Sequence, residues 1–179
     1  MGAEQSERSI LLCGLMGAGK TRVGRELADR LGWEFVDTDE RVESTAGMSV
    51  ARIFDRDGEP EFRRLEREAL EGLPDRRCVV SLGGGAIAAP AAREIVRRKG
   101  RLVWLYATPV QLARRLADDD QRPLLAGLDF AARVARLEEL LAERRSAYAE
   151  ASLRVPTGSA DVEAVCDALL AGLERTARG

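Results

Sequence analysis

Residues 10–31 read ILLCGLMGAGKTRVGRELADRL. The first four residues are apolar and predict a short buried strand, and glycines punctuate the segment that follows. Val23, Leu27 and Leu31 then recur at every fourth position, which predicts a helix with one apolar stripe. Gly32, directly after this stripe, is a typical helix C-cap. A strand that leads through a glycine-rich turn into a helix predicts an α/β protein with a parallel sheet.

The turn at residues 14–21 fits the phosphate-binding pattern GxxxxGK(S/T) without a mismatch, and it lies between a predicted strand and a predicted helix. Its backbone N–H groups, together with the helix N-terminus, favour phosphate oxygens. A glycine turn without a ligand would have no use for Lys20 and Thr21 in register. The motif predicts that Lys20 reaches the β- and γ-phosphates and that Thr21 ligates Mg²⁺. The predicted nucleotide-binding residues are Gly17, Ala18, Gly19, Lys20 and Thr21.

The rest of the chain repeats the alternation of short apolar runs with helix-length segments. Further strands are predicted at residues 34–36, 78–82, 101–106 and 153–155. Five strands fit a three-layer α/β/α sandwich with a parallel sheet. Thr108, Pro109 and Gln111 have the spacing of a capping box, which predicts a helix start there, and a last helix is expected at about 161–175. Because no repeat or linker interrupts the pattern, residues 1–179 are predicted to form a single domain.

Composition excludes several classes of function. The chain has 179 residues, of which 45% are hydrophobic and 32% charged, and its net charge of −2 offers no basic surface for nucleic acid. No apolar run approaches the length of a membrane span, and residues 1–8 are expected to form a flexible tail. Cys13, Cys78 and Cys166 lack metal or redox spacing and are expected to be reduced core residues of a cytoplasmic protein. The protein is also expected to be a monomer. Without histidine, proton transfer must use a carboxylate or water.

Several short motifs beyond the phosphate-binding loop indicate which kind of nucleotide-binding protein this is. They are 37–39 (DTD), Phe54, 57–66 (DGEPEFRRLE), 83–85 (GGG), 122–125 (RPLL), 143–144 (ER) and Tyr148. In this order they resemble the shikimate kinase family over residues 10–157. The resemblance implies a P-loop kinase fold like that of nucleoside monophosphate kinases, a substrate-binding helical region at about 39–73 and a mobile lid at about 114–128. It also implies transfer of phosphate from ATP, with Mg²⁺, to a hydroxyl of shikimate, a step in chorismate and aromatic amino-acid biosynthesis.

Positions that match the family's motifs imply roles for individual residues. Asp39 would contact the ring hydroxyls of shikimate, either as a base or only to position the attacking hydroxyl. Arg63 and Arg144 would hold the carboxylate through forked N–H donors, and Gly84 would add backbone N–H contacts. Arg122 would be the lid arginine that stabilises phosphoryl charge. In addition, Asp37 is predicted to hold a water of the Mg²⁺ shell, Phe54 and Phe62 to form an apolar wall, and Leu124, Leu125 and Phe130 to anchor the lid.

Each residue also has a simpler interpretation. Asp37 and Asp39 could cap a helix that starts near Glu40, Arg63 could pair with Glu66 at i+3, and Arg144 could be an ordinary base on an Arg-rich helix. Arg122 could be a solvated loop charge beside residues 118–120, which are all Asp.

Two alternative functions remain for the whole protein. It could be a kinase for another small molecule, such as gluconate, or a nucleotide-binding regulatory module.

The sequence also departs from the family at two places. Residues 157–160 (TGSA) offer only small side chains where a polar or basic residue near adenine is usual, and residues 146–147 are Ser-Ala where Pro-Leu is common.

Overall fold

The structure, a computed structural model, describes residues 8–75, 77–117, 122 and 124–178. Its strands are β1 (Ser9–Cys13), β2 (Glu34–Asp37), β3 (Cys78–Ser81), β4 (Gly100–Tyr106) and β5 (Leu153–Pro156). Its helices are α1 (Lys20–Leu31), α2 (Thr38–Ala46), α3 (Val50–Glu71), α4 (Pro90–Lys99), α5 (Pro109–Arg115), α6 (Phe130–Tyr148) and α7 (Val162–Arg178). None of the described helices is long and apolar enough to cross a bilayer.

The strands form one parallel sheet in the order β2-β3-β1-β4-β5. The predicted strand positions and the α/β class are therefore confirmed. Since all strands run the same way, the turns after β1, β2 and β3 meet at one edge of the sheet. The chain leaves β1 toward β2 on one side, whereas β4 lies on the other side of β1. Such a switch in strand order is where α/β proteins bind ligands.

The core has two parts. The larger part surrounds β1, whose five residues are all buried, and α1 and α7 pack against each other over the sheet. A smaller cluster of Val42, Ile53, Phe62 and Leu65 lies between α2 and α3. This second cluster fixes the helical region at about 39–73, so the polar residues of α2 and α3 have a rigid support.

Several helix ends lie where the sequence predicts them. Gly32 ends α1 in the left-handed conformation, with φ of 65°. Thr108 and Gln111 form both hydrogen bonds of the predicted capping box at α5. The last helix runs to Arg178, three residues beyond the expected end. The three cysteines are free and buried, as predicted.

Helix α3 contains a kink that the sequence analysis did not place. Gly58 has φ of 80° and ψ of 173°, which is not helical, and Pro60 follows it. Glycine adopts this backbone conformation without strain, and Pro60 then restarts the helix from its first turn. The kink sets the direction of the second half of α3, which carries Arg63.

Candidate active site

A cavity of about 1500 Å³ opens at the carboxyl edge of the sheet. It extends from the loop after β1, across the ends of β2 and β3, to α3 and α6. All predicted site residues except Gly84 line this cavity, namely Gly17, Ala18, Gly19, Lys20, Thr21, Asp37, Asp39, Arg63, Arg122 and Arg144.

The loop after β1 is shaped to surround an anion. Gly17 and Gly19 have φ of 76° and 90°, a region in which other residues are strained. No side chain caps the first turn of α1, so its N–H groups remain available. The Lys20 Nζ donates to the carbonyls of Gly14 at 3.0 Å and Leu15 at 3.2 Å. Burial lowers the pKa of Lys20, while Asp39 raises it. An anion inside the loop would give this buried ammonium group a charged partner.

Thr21 and Asp37 form a pair beside the loop. The Thr21 hydroxyl donates to Asp37 Oδ2 at 2.9 Å, and Asp37 Oδ1 accepts from the backbone N–H of Asp39 at 3.0 Å. The helix-capping interpretation is thus correct for Asp37, which is the N-cap of α2. Its second oxygen still faces Thr21. No cluster of three or more metal-binding side chains occurs in the described residues. A hydroxyl and a carboxylate fit Mg²⁺, which usually keeps several waters and binds phosphate oxygens.

Asp39 lies between the loop and the triple glycine. Its Oδ1 would be 2.5 Å from a Cβ placed on Gly83, so only glycine allows this approach. Burial raises the pKa of Asp39, and the neighbouring carboxylate of Asp37 raises it further, whereas Lys20 and Arg122 lower it. Asp39 is therefore a carboxylate of raised basicity beside a lysine, which suits hydrogen bonding to a substrate hydroxyl.

Arg63 does make the simple ion pair that the sequence allowed. Its Nη1 donates to Glu66 Oε2 at 2.7 Å, and its Nη2 donates to Glu59 at 3.2 Å. However, the guanidinium also lies against the triple glycine, because both Nη atoms would be 2.9 Å from a Cβ on Gly85. The ion pair therefore holds Arg63 against the cavity wall.

Glu66 is a functional candidate that the sequence analysis used only as a partner. It is 3% exposed, and its Oε1 is the one buried side-chain atom without a hydrogen-bond partner among the described residues. This atom would lie 3.0 Å from a Cβ on Gly83. Burial raises the pKa of Glu66, and Arg63 lowers it. A buried oxygen without a partner is costly unless a ligand or water donates to it.

Arg144 contacts the middle residue of the triple glycine, Gly84. Its Nη1 donates to the carbonyl of Gly84 at 3.0 Å, and Tyr148 Oη donates to the same oxygen at 2.6 Å. The N–H groups of Gly84 and Gly85 donate to no acceptor within the described part of the chain. Two guanidiniums and two backbone donors thus converge around the triple glycine.

The predicted lid lies largely outside the described residues, which omit 118–121 and 123. Arg122 is described; it is exposed and lines the cavity. Leu125 is fully buried, as an anchor should be, but Leu124 and Phe130 are 44% and 49% exposed. The expectation that all three anchor the lid is therefore wrong for two of them.

Arg115 is a basic residue that lies beside residues 157–160 and lines the cavity. It donates to the carbonyl of Gly17 at 3.0 Å and to the carbonyl of Thr157. It thus joins the phosphate-binding loop to the turn after β5, where the nucleotide base was expected. Arg115 is the last residue of α5, so it is far in sequence from the segment after the last strand, where a basic residue was expected.

A phosphate-binding loop, a hydroxyl–carboxylate pair for Mg²⁺ and a pocket lined by arginines define a P-loop kinase that acts on a small anionic acceptor. The family model "SKI: Shikimate kinase" matches residues 16–174. The chain belongs to the shikimate kinase family.

Similar proteins support this assignment. The shikimate kinase of Geobacter metallireducens is 42% identical over 173 residues, which are 96% of this chain and 95% of the relative. That of Bacillus cytotoxicus is 36% identical, with 91% and 96% covered. The structure of shikimate kinase from Acinetobacter baumannii in complex with shikimate has a TM-score of 0.84 at 37% identity, covering 94% of this chain and 93% of that one. A gluconokinase from Sinorhizobium meliloti, at 20% identity and a TM-score of 0.60, shares the fold alone.

Proposed function

We propose that this protein transfers the γ-phosphate of ATP to a hydroxyl of shikimate, giving shikimate 3-phosphate and ADP, as a step in chorismate and aromatic amino-acid biosynthesis. The observation that carries the proposal is the convergence of Arg63 and Arg144 on the triple glycine, with Asp39 between them and the phosphate-binding loop. A cyclic hydroxy acid with one carboxylate fits this distribution of charge.

The carboxylate of shikimate would lie between Arg63 and Arg144. Each guanidinium offers a planar fork of donors, and the N–H groups of Gly84 and Gly85 can complete the contacts. Gluconate also has a carboxylate, but Phe54 lines the cavity and is backed by the buried ring of Phe62, with the two ring centroids 4.7 Å apart. The expected wall of two rings is therefore formed by Phe54 alone, and this apolar surface favours a compact ring over a flexible chain.

The hydroxyl that receives phosphate would lie at Asp39. This carboxylate can accept the hydroxyl's hydrogen bond and orient the oxygen toward the γ-phosphate. A loose transition state needs little early removal of the hydroxyl proton. The main contribution of Asp39 is therefore to position the attacking hydroxyl, and it accepts the proton at a later stage of the transfer. Glu66 Oε1 is a further acceptor for a substrate hydroxyl or a bridging water.

Charge on the transferring phosphoryl group would be stabilised by Lys20 and Arg122. Mg²⁺, when bound, would neutralise further negative charge on the phosphates. Thr21 would hold the ion directly, and Asp37 through a water molecule. Arg115 would place its guanidinium plane beside the nucleotide base, where it can stack on a ring face.

We further propose that the protein acts in the cytoplasm, because its buried free cysteines suit a reducing compartment, and that it acts as a monomer. The single domain and the lid at about 114–128 are part of the same proposal.

The test is ADP release from ATP and Mg²⁺ with a panel of acceptors. Release that depends on shikimate, and that is absent with gluconate and with nucleoside monophosphates, is the expected result. Release with gluconate but not with shikimate would overturn the assignment.

A further inference from the structure

Tyr148 contacts the triple glycine beside the proposed substrate pocket, although its own side chain does not line the cavity. We propose that Tyr148 is a positioning residue for shikimate, which aims both Arg144 and the Gly84–Gly85 peptide at the substrate's carboxylate. This inference rests on the proposed function. It assigns to Tyr148 a role in substrate affinity and none in the chemical step.

Two side chains of α6 donate to the same backbone oxygen. Tyr148 Oη donates to Gly84 O at 2.6 Å, and Arg144 Nη1 donates to the same oxygen at 3.0 Å. Residues four apart on a helix lie on the same face, so α6 presents both groups to the triple glycine together. Each side chain therefore restricts the other.

The hydroxyl also fixes a peptide plane. Carbonyl and N–H groups of a trans peptide point in opposite directions, so fixing Gly84 O fixes the direction of the Gly85 N–H. Three successive glycines would otherwise rotate easily. The N–H groups of Gly84 and Gly85 have no acceptor in the described part of the chain, so they can donate to a ligand.

Tyr148 is itself rigid. It is 1% exposed, and its ring packs against Trp104 with the centroids 5.6 Å apart. Burial raises its pKa to about 12, so the hydroxyl stays protonated and remains a donor at any working pH. A rigid donor on a helix, backed by a strand, preorganises the flexible glycines before shikimate arrives.

The test is Tyr148→Phe, which removes only the hydroxyl. One hydrogen bond of this kind corresponds to about a tenfold change in affinity. We expect KM for shikimate to rise about tenfold, while kcat and KM for ATP stay within about twofold. Tyr106→Phe is the matched control, because its ring also packs on Trp104, at 5.5 Å, and it should leave all three parameters unchanged.

A direct measurement separates positioning from simple stability. Shikimate binding without ATP can be followed through Trp104 fluorescence in a Trp33→Phe background, alongside melting temperature. The expected result is a weaker Kd in Tyr148→Phe and a smaller effect of the same change in an Arg144→Ala background. The inference fails if wild type phosphorylates shikimate but Tyr148→Phe has unchanged KM and Kd, even if it melts earlier. A wild type that does not phosphorylate shikimate would instead refute the proposed function.

Discussion

Arg63 is proposed to bind the substrate's carboxylate and also pairs with the buried Glu66, and variants can test these two roles separately. Arg63→Ala removes a guanidinium from the carboxylate site, which costs on the order of 1.5–3 kcal/mol of substrate binding and raises KM for shikimate tenfold or more. It also leaves Glu66, which is 3% exposed, without its cation. Arg144→Ala should raise KM similarly, but the Gly84 carbonyl keeps its hydrogen bond from Tyr148. The two variants should therefore differ in stability.

The size of that difference follows from burial. Breaking a fully buried ion pair costs about 3–5 kcal/mol. The Arg63 side chain is 34% exposed and Glu66 can take up a proton, so we expect about 2 kcal/mol. For a chain of this length that is a fall in Tm of about 4–8 °C. Arg144→Ala should lose about 1 kcal/mol or less.

The loss of stability in Arg63→Ala should depend on pH. Burial already raises the pKa of Glu66, and Arg63 opposes that shift. Without Arg63 the folded-state pKa rises further above its unfolded value. A carboxyl group shifted this way destabilises the fold only when ionised, so the penalty is absent below the unfolded pKa and develops as pH rises through the folded one.

Urea denaturation of wild type, both alanine variants and Arg63→Ala/Glu66→Gln checks this reasoning at about pH 5 and about pH 8. The penalty of Arg63→Ala should be small at the lower pH and full at the higher one. The double variant should regain most of the stability without regaining KM. A penalty that is independent of pH, or a double variant as unstable as the single one, would refute the argument.

The remaining predictions concern the phosphoryl end of the site. Lys20→Ala should lower kcat by several orders of magnitude in a folded protein, and near-normal turnover would contradict the assignment of the loop. Arg122→Ala should reduce kcat more than it weakens shikimate binding, as initial rates and binding titrations would show. Asp37→Asn should raise the Mg²⁺ requirement, whereas Asp39→Asn should lower kcat/KM for shikimate even at saturating Mg²⁺; rescue of the latter by metal alone would disprove this division. In wild type, kcat/KM should fall with decreasing pH at a midpoint above 3.8, the ordinary value for aspartate, because burial raises the pKa of Asp39.

Features encoded locally were predictable from the sequence. The strand, glycine turn and helix at residues 10–31, and the capping box at Thr108, depend on neighbours within a few residues, so propensity and spacing suffice. The parallel sheet follows from the alternation of strands and helices.

Features that depend on contacts between distant parts of the chain could not be predicted from the sequence. An Arg–Glu spacing of three residues predicts the ion pair of Arg63 with Glu66, but only packing of α3 over the triple glycine buries Glu66. Arg115 reaches Thr157 across 42 residues of sequence, and no periodicity reveals such a partner. Tyr148 was noticed as a landmark, yet its hydrogen bond to Gly84 spans 64 residues.

The most direct test of the account is the identity of the product. The purified protein should be incubated with ATP, Mg²⁺ and shikimate, and the mixture followed by ³¹P NMR. The account predicts loss of the γ-phosphate signal and one new phosphomonoester signal coupled to a shikimate ring proton, in a yield equal to the ADP formed. ADP accompanied only by inorganic phosphate, or no turnover of ATP with shikimate present, would contradict it.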